Sequence, residues 1–364
     1  MNGKVYYKNR LEKILKLMSD LSMDSVFISE PGTVQYLTGL PLTYLGVSVP
    51  TLVTAEGKVL VFSLKMGTGE SIDEIVFGEV LDGPADPSGL ETFVMENIQS
   101  LGVKELGVDY GKISFGLAKR LSDSLGSIKD VSFELDKLRS KKDAMEIRNI
   151  AKAIGITEIA HARAKEIISE GVTERQIATC AVTEMLKNSA DWFAFSPLVA
   201  SGKRSAYPHG SPTHKALRKG ELVFVDLGAR VEGYWSDITR TYTVGDAGNK
   251  ELELYVVINE ASEAAMKAIK PGVKGKDVDA AARQVISQRG YSQYFTHGVG
   301  HGIGINSGYP MLDPSSDHLL EKDQTVTIEP GIYIPGYGGI RIEEDVLVTE
   351  DGCLQLSTFP RTLR

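Results

Sequence analysis

The chain has 364 residues, with 40 Lys and Arg against 48 Asp and Glu, a formal net charge of −8, and 42% hydrophobic residues. These proportions are those of ordinary globular proteins and exclude a disordered or fibrous chain. The acidic balance argues against a nucleic-acid partner, and at roughly 150 residues per domain the length predicts two domains, each with its own core.

Two cysteines, Cys180 and Cys353, exclude a disulfide scaffold and a Cys-based metal cluster, and predict a reducing, cytoplasmic setting. The first residues lack an apolar signal core, so export is not predicted. Residues 31–55 carry no charge, but Pro31, Pro41 and Pro50 with Gly32, Gly39 and Gly46 predict strands and turns rather than a membrane span.

In chain order, Leu11, Ile14, Leu15 and Met18 predict a helix over 10–20, followed by a short buried strand at 26–28. Strands are predicted at 50–54 and 58–63 with Gly57 between them, a helix at 88–101, and a strand at 105–109. This alternation predicts a mixed sheet with helices packed on it. The charged run 134–143 marks the domain junction. Ser140 followed by Asp143 predicts a helix start, with Ile147, Ile150, Ala151 and Ile154 as its apolar stripe. Thr173 and Gln176 form a capping-box pair for a helix carrying Ile177, Ala181 and Met185.

The most informative feature is an internal repeat. Leu-Arg-Lys-Gly-Glu-Leu-Val-Phe-Val-Asp-Leu-Gly at 217–228 aligns without a gap with Leu-Glu-Lys-Asp-Gln-Thr-Val-Thr-Ile-Glu-Pro-Gly at 320–331. Upstream, Gly171-Val-Thr and Gly272-Val-Lys each separate two helical stretches. Each half therefore reads helix, turn, helix, then a strand ending in a carboxylate, Asp226 or Glu329. A following strand brings a second carboxylate, Asp237 or Glu343. A pseudo-twofold relation between the halves would gather these four acids at one place.

Period-2 alternation puts Asp226 on the face of Leu222 and Phe224. Ionised carboxylates on apolar strands are costly unless paired or metal-bound, and clustering makes plain burial worse. Divalent cations such as Mn, Co, Fe or Zn resolve that conflict. The run Phe-Thr-His-Gly-Val-Gly-His-Gly-Ile-Gly at 295–304 adds His301 as a nitrogen ligand, with glycines allowing close approach of the backbone. It does not fit a dinucleotide fingerprint.

Taken together, Val-Asp-Leu-Gly, Ser-Asp-Ile-Thr-Arg-Thr, Gly-His-Gly-Ile-Gly, Ile-Glu-Pro-Gly-Ile-Tyr and Arg-Ile-Glu-Glu resemble the motifs of the pita-bread metallohydrolases. That group includes methionine aminopeptidases, prolidases, aminopeptidase P and creatinase. Arg10-Leu and the Tyr36-Leu-Thr-Gly39 run are similar to the N-terminal domain of the prolidase and aminopeptidase P type, so the resemblance covers essentially the whole chain. It disfavours methionine aminopeptidases, which lack that domain.

The resemblance implies an α/β (α+β) chain, with a creatinase-type domain at 1–134 and a catalytic pita-bread domain at 135–364. It implies two divalent metal ions (Mn, Co, Zn or Fe) held by Asp226, Asp237, His301, Glu329 and Glu343. Asp226 and Glu343 would bridge the ions, Asp237 would complete one site, and His301 with Glu329 the other. The implied activity is hydrolysis of the bond preceding proline in a small Xaa-Pro peptide. A bridging hydroxide would be the nucleophile and Glu329 the proton shuttle. His209, in a Pro-His-Gly turn, would contact substrate and steady the tetrahedral intermediate, and His297 would line the pocket. Thr239 reads as support for Asp237, Glu344 as the weaker ligand candidate, and His161, His214 and His318 as solvated. A homodimer is also implied.

One departure concerns substrate recognition. Residues 305–310 contain no histidine where the peptidases carry a Val-His-Glu-type segment, and Met311 stands where prolidases place an arginine. This favours, as the alternative, a creatinase-like hydrolase of a non-prolyl C–N substrate. A non-catalytic scaffold is disfavoured because all five ligands and His209 are present.

Overall fold

The computed structural model describes residues 4–40, 49–64, 77–306 and 308–363. The chain divides into two compact units, Met1–Arg139 and Ser140–Arg364.

In the first unit, six strands form one sheet in the order Glu79–Asp82, Val59–Ser63, Thr51–Thr54, Ser25–Ile28, Leu106–Val108, Ile128–Asp130. Ser25–Ile28 pairs antiparallel with Thr51–Thr54 and parallel with Leu106–Val108, which makes it the central strand. Its alternation serves two cores. Val26 and Ile28 pack with Leu11, Ile14 and Met18 of the helix Lys4–Asp20, and Phe27 packs with Val94 and Ile98 of the helix Leu90–Ser100. A strand buried on both faces reads as a continuous apolar run, which is how residues 26–28 stand in the sequence.

Residues 31–38 differ from the strands and turns predicted for them: Pro31–Thr38 is a helix. Glu30 caps it, accepting from the Gly32 and Thr33 amides, and Gly39 closes it at φ +75°. Proline in the first turn and glycine just past the end are helix punctuation, so signals read as breakers mark the two ends of a short helix. Residues 41–48 of the uncharged stretch lie outside the described residues. No helix among the described residues is long and apolar enough to cross a membrane.

The second unit is built twice over. Its first half has helices Ala144–Ile167 and Glu174–Lys187, then a sheet in the order Ile238–Thr243, Leu222–Leu227, Leu198–Ser201. The second half has helices Asn249–Ala268 and Gly275–Gln288. Its sheet runs Gly308–Leu312, Gly300–Gly302, Thr325–Ile328, Glu344–Val348, Cys353–Gln355. The repeat is visible as one hydrogen-bond pattern made twice. Gly171 N donates to Leu217 O at 3.0 Å and Gly272 N to Leu320 O at 2.8 Å. In return, Leu217 N and Leu320 N donate to the Val172 and Val273 carbonyls, both at 2.8 Å. Both glycines have positive φ, +87° and +84°, which explains the residue type at these turns.

Two local expectations need correction. Asp143, not Ser140, caps the helix Ala144–Ile167, through a capping box with Glu146. Ser140 is already the last residue of the preceding helix, Ser132–Ser140. With the start moved, the buried face rotates to Asn149, Ile150, Ala153, Ile154 and Thr157, and Ala151 is exposed.

His161 lies on that same face and is fully buried, not solvated. One ring nitrogen, Nε2, bonds the Ile238 carbonyl at 2.9 Å, and the ring stacks on Phe359 with centroids 5.5 Å apart. Burial, aided by the Arg240 charge, pushes its pKa down to about 3. A histidine whose folded pKa lies below its unfolded value near 6.5 contributes stability above that value and loses it as pH falls toward 3. His161→Phe is therefore expected to flatten the acid limb of the unfolding curve between about pH 6.5 and 3. Tm measured across that range in mutant and parent checks it; parallel curves would exclude His161. His318 is half-buried against Tyr309 and Gln324, whereas His214 is exposed.

Candidate metal centre

Each half delivers its carboxylates by the same local device. Asp226 lies near the end of Leu222–Leu227, and Asp237 immediately precedes the strand Ile238–Thr243, which pairs antiparallel with it. Glu329 follows Thr325–Ile328, and Glu343 immediately precedes the antiparallel partner Glu344–Val348. Between the two acids each half makes a small hairpin, Ala229–Val231 with Tyr234–Trp235, and Gly331–Ile334 with Gly338–Arg341. The halves then meet directly. Glu343 N donates to Thr239 O at 3.1 Å, and Asp237 N donates to Asp345 Oδ2 at 3.0 Å.

The five residues singled out by the repeat and the glycine-rich run line one cavity of about 490 Å³, together with His209 and His297. Asp237, His301 and Glu343 offer ligand atoms all within 4.8 Å of one another. His301 Nε2 stands 3.7 Å from Asp237 Oδ2 and 3.6 Å from Glu329 Oε1. Its other ring nitrogen faces the Gly302 carbonyl at 3.1 Å, which fixes the ring and leaves Nε2 toward the carboxylates.

Asp226, Asp237 and Glu343 are buried, and Glu329 is only partly exposed. Burial, then the charges of Glu343 and Asp226, hold the Asp237 carboxyl well above the usual carboxylate range. Burial, with Glu329 and Asp226, does the same to Glu343. Asp226 is also raised by burial, against the pull of Arg341. Its Oδ1 is buried without a hydrogen-bond partner among the described residues. Crowded carboxylates, a poised imidazole nitrogen and a bare buried oxygen fit a divalent cation pair with hard oxygen and nitrogen ligands.

A stability prediction follows from these directions. A carboxylate whose folded pKa is raised contributes stability below its unfolded value near 4 and loses it as pH rises through the folded value. Metal-stripped protein should thus be penalised by this cluster increasingly as pH rises from about 4 toward neutrality. Adding Mn or Co should raise Tm, and the rise should be larger at pH 7 than at pH 5. Thermal unfolding of stripped and reloaded protein at both pH values tests this; an equal Tm with and without metal would show that the cluster binds none.

Thr239 supports the centre through Glu343, donating to Oε2 at 2.7 Å. Glu344 faces away, buried in ion pairs with Arg240 and Arg361. The residue that sequence reasoning passed over is Arg341. It is buried and donates to Asp226 Oδ2 at 2.5 Å, Thr239 Oγ1 at 3.0 Å, Tyr333 OH at 2.8 Å and Pro208 O at 3.1 Å. A signal existed, since Arg341 precedes Glu343 by two residues and so shares its side of an extended chain.

The two cavity histidines are held differently. His297 Nδ1 donates to Gly298 O at 2.8 Å, so neutral Nε2 accepts from Tyr333 OH, also at 2.8 Å. Burial lowers its pKa, which favours that neutral form. Its loop is anchored by buried Asp279, which accepts from Val299 N at 2.9 Å, and by Arg283, which donates to the Phe295 and His297 carbonyls. His209 has an exposed ring at the cavity wall. Met311 also lines the cavity, opposite His301 in the strand register. Of residues 305–310, Ser307 lies outside the described residues.

Comparison with known proteins agrees with this geometry. Metallopeptidase family M24 matches residues 148–350, and the creatinase/prolidase N-terminal domain matches residues 10–141. The chain is 35% identical to an Xaa-Pro dipeptidase of Pyrococcus furiosus, over 98% of this chain and 99% of that protein. It superposes on a prolidase from Pyrococcus horikoshii with a TM-score of 0.89 at 34% identity, covering 98% of this chain and all of that one (100%). It also superposes on an X-Pro aminopeptidase from Thermotoga maritima with a TM-score of 0.88 at 32% identity, covering 97% and 98% of the two chains. The fold is thus a creatinase-type N-terminal domain followed by a pita-bread domain. The chain belongs to metallopeptidase family M24 and is a peptidase of the kind that works with two divalent metal ions.

Proposed function

We propose that this peptidase cleaves the bond preceding proline in small Xaa-Pro peptides. The observation that carries the reading is the carboxylate cluster with His301 Nε2 at its centre, set in a cavity with the exposed ring of His209. A volume of about 490 Å³ lies within the usual range for a small-molecule site, roughly 300–1,000 Å³.

In this reading Asp226, Asp237, His301, Glu329 and Glu343 hold two divalent ions. Bound there, such ions lower the pKa of water toward 7 and so supply a nucleophile at neutral pH. The remaining work belongs to the chain. Glu329, the partly exposed carboxylate, takes the proton released from the attacking water and delivers it to the departing nitrogen. The His209 ring contacts the substrate and steadies the oxygen that gains charge in the tetrahedral intermediate. His297, its two nitrogens committed within the protein, serves as a fixed part of the pocket wall. Thr239 and Arg341 keep Glu343 and Asp226 in place.

The domain assignment proposed with this function is a creatinase-type domain up to residue 134 and a catalytic domain beyond it. A homodimer in the cytoplasm is proposed as the working form; the free thiols of Cys180 and Cys353 support a reducing compartment.

The Mn- or Co-loaded protein should release proline from Xaa-Pro dipeptides. Assays against dipeptides, longer Xaa-Pro peptides and small amidines test the reading. Absence of proline and N-terminal residue release with every metal would sink it. Turnover of amidines alone would support the creatinase-like reading, which the lack of a histidine in residues 305–310 and the presence of Met311 in the cavity favour.

A further inference from the structure

Glu174 lies in the first turn of the helix Glu174–Lys187 and is fully buried, yet it is not part of the cavity wall. Its carboxylate serves one loop from both ends. Oε1 accepts from Ser201 N at 2.9 Å and Ser201 Oγ at 2.8 Å. Oε2 accepts from Thr213 N at 3.0 Å, from Thr213 Oγ1 at 2.6 Å and from Arg204 Nη1. The other Arg204 nitrogen, Nη2, reaches Ser211 O at 2.9 Å. Ser201 and Thr213 bracket the segment that carries His209.

The helix itself does not need this carboxylate. Thr173 already caps it, in a capping box with Gln176. A buried carboxylate with five donors is a large commitment of charge and hydrogen bonds, and every one of those bonds goes to the His209 loop. The far side of the loop is tied to the carboxylate cluster, through Arg341 to Pro208 O at 3.1 Å and Gly339 N to Ser205 Oγ at 2.8 Å. The histidine therefore stands on a loop closed at its base by Glu174 and held on its far side by Gly339 and Arg341, on the strand just ahead of Glu343.

We propose that Glu174, together with Arg204, is a positioning residue for His209: it sets the angle at which the imidazole meets the substrate and does not act on the metal ligands. The proposal rests on His209 being a substrate contact. It predicts that losing Glu174 and losing His209 are the same loss.

The test is a double-mutant cycle on the metal-loaded enzyme with an Xaa-Pro dipeptide, reading kcat, KM, bound metal and Tm. Glu174→Gln is expected to lower kcat/KM by about 10–100-fold, with bound metal unchanged. It should divide that loss between kcat and KM as His209→Ala does. In the His209→Ala background, Glu174→Gln should change kcat/KM by no more than about twofold. The same factor in both backgrounds would overturn the proposal, as would normal kinetics in Glu174→Gln beside a slow His209→Ala. Normal kinetics in His209→Ala would instead overturn the substrate-contact reading and the proposal with it. Should Glu174→Gln fail to fold, Thr213→Val removes one hydroxyl donor from the same carboxylate and runs the same cycle, with an expected loss of about 3–10-fold.

Discussion

Glu329→Gln is expected to leave the fold and bound metal in place and to cut turnover by about 100- to 10,000-fold, the range of a lost general acid–base. The substitution is nearly isosteric, and Glu329 is partly exposed, with 17% of its side chain accessible, whereas Asp226, Asp237 and Glu343 are buried. A glutamine there keeps an oxygen to offer a cation but cannot carry a proton from water to a leaving nitrogen. Steady-state kinetics alongside metal analysis distinguish the roles. Near-normal kcat would remove Glu329 as the shuttle. Lost metal with lost turnover would show that its ligand role dominates.

Arg341→Met is expected to destabilise the metal-free protein by about 3–5 kcal/mol, the cost of breaking a buried ion pair from one side. Its side chain is 3% exposed and its partner Asp226 is 7% exposed, so water cannot replace the lost partner. The same change removes donors from Thr239, Tyr333 and the Pro208 carbonyl, loosening Glu343, His297 and the His209 loop together. Arg341→Lys should recover little, because an ammonium cannot span four acceptors as the planar guanidinium does. Denaturant unfolding of stripped protein measures the loss; a change under about 1 kcal/mol would mean that Asp226 is compensated some other way.

The part of this site that was legible in the sequence was legible because of duplication. One carboxylate at a strand end says little, but Asp226 against Glu329 in matched segments of two halves signals a shared destination. Thr239, two residues beyond Asp237 and on its side of the strand, is expected beside Asp237; it reaches the centre by donating to Glu343 instead. What stayed illegible depends on pairings between segments far apart in sequence. Nothing near His161 announces that Phe359 covers it, and nothing near Glu174 announces the Ser201–Thr213 loop. The helix Pro31–Thr38 is hidden for a different reason: Pro31 and Gly39 look like breakers of structure but mark its two ends.

The pairing of Asp226 with Arg341 spans 115 residues, and this has a bearing on how the molecule is made. While the ribosome is still translating the second half, the strand Leu222–Leu227 already holds a carboxylate whose counter-cation does not yet exist. Thr239 likewise waits 104 residues for Glu343. Closing the first half's sheet around Asp226 without Arg341 would leave that buried carboxyl without its counter-cation and favour its protonated form. A polypeptide cut off before residue 341 would lack the guanidinium that pairs with Asp226, and that carboxyl would have to be protonated or left open to water.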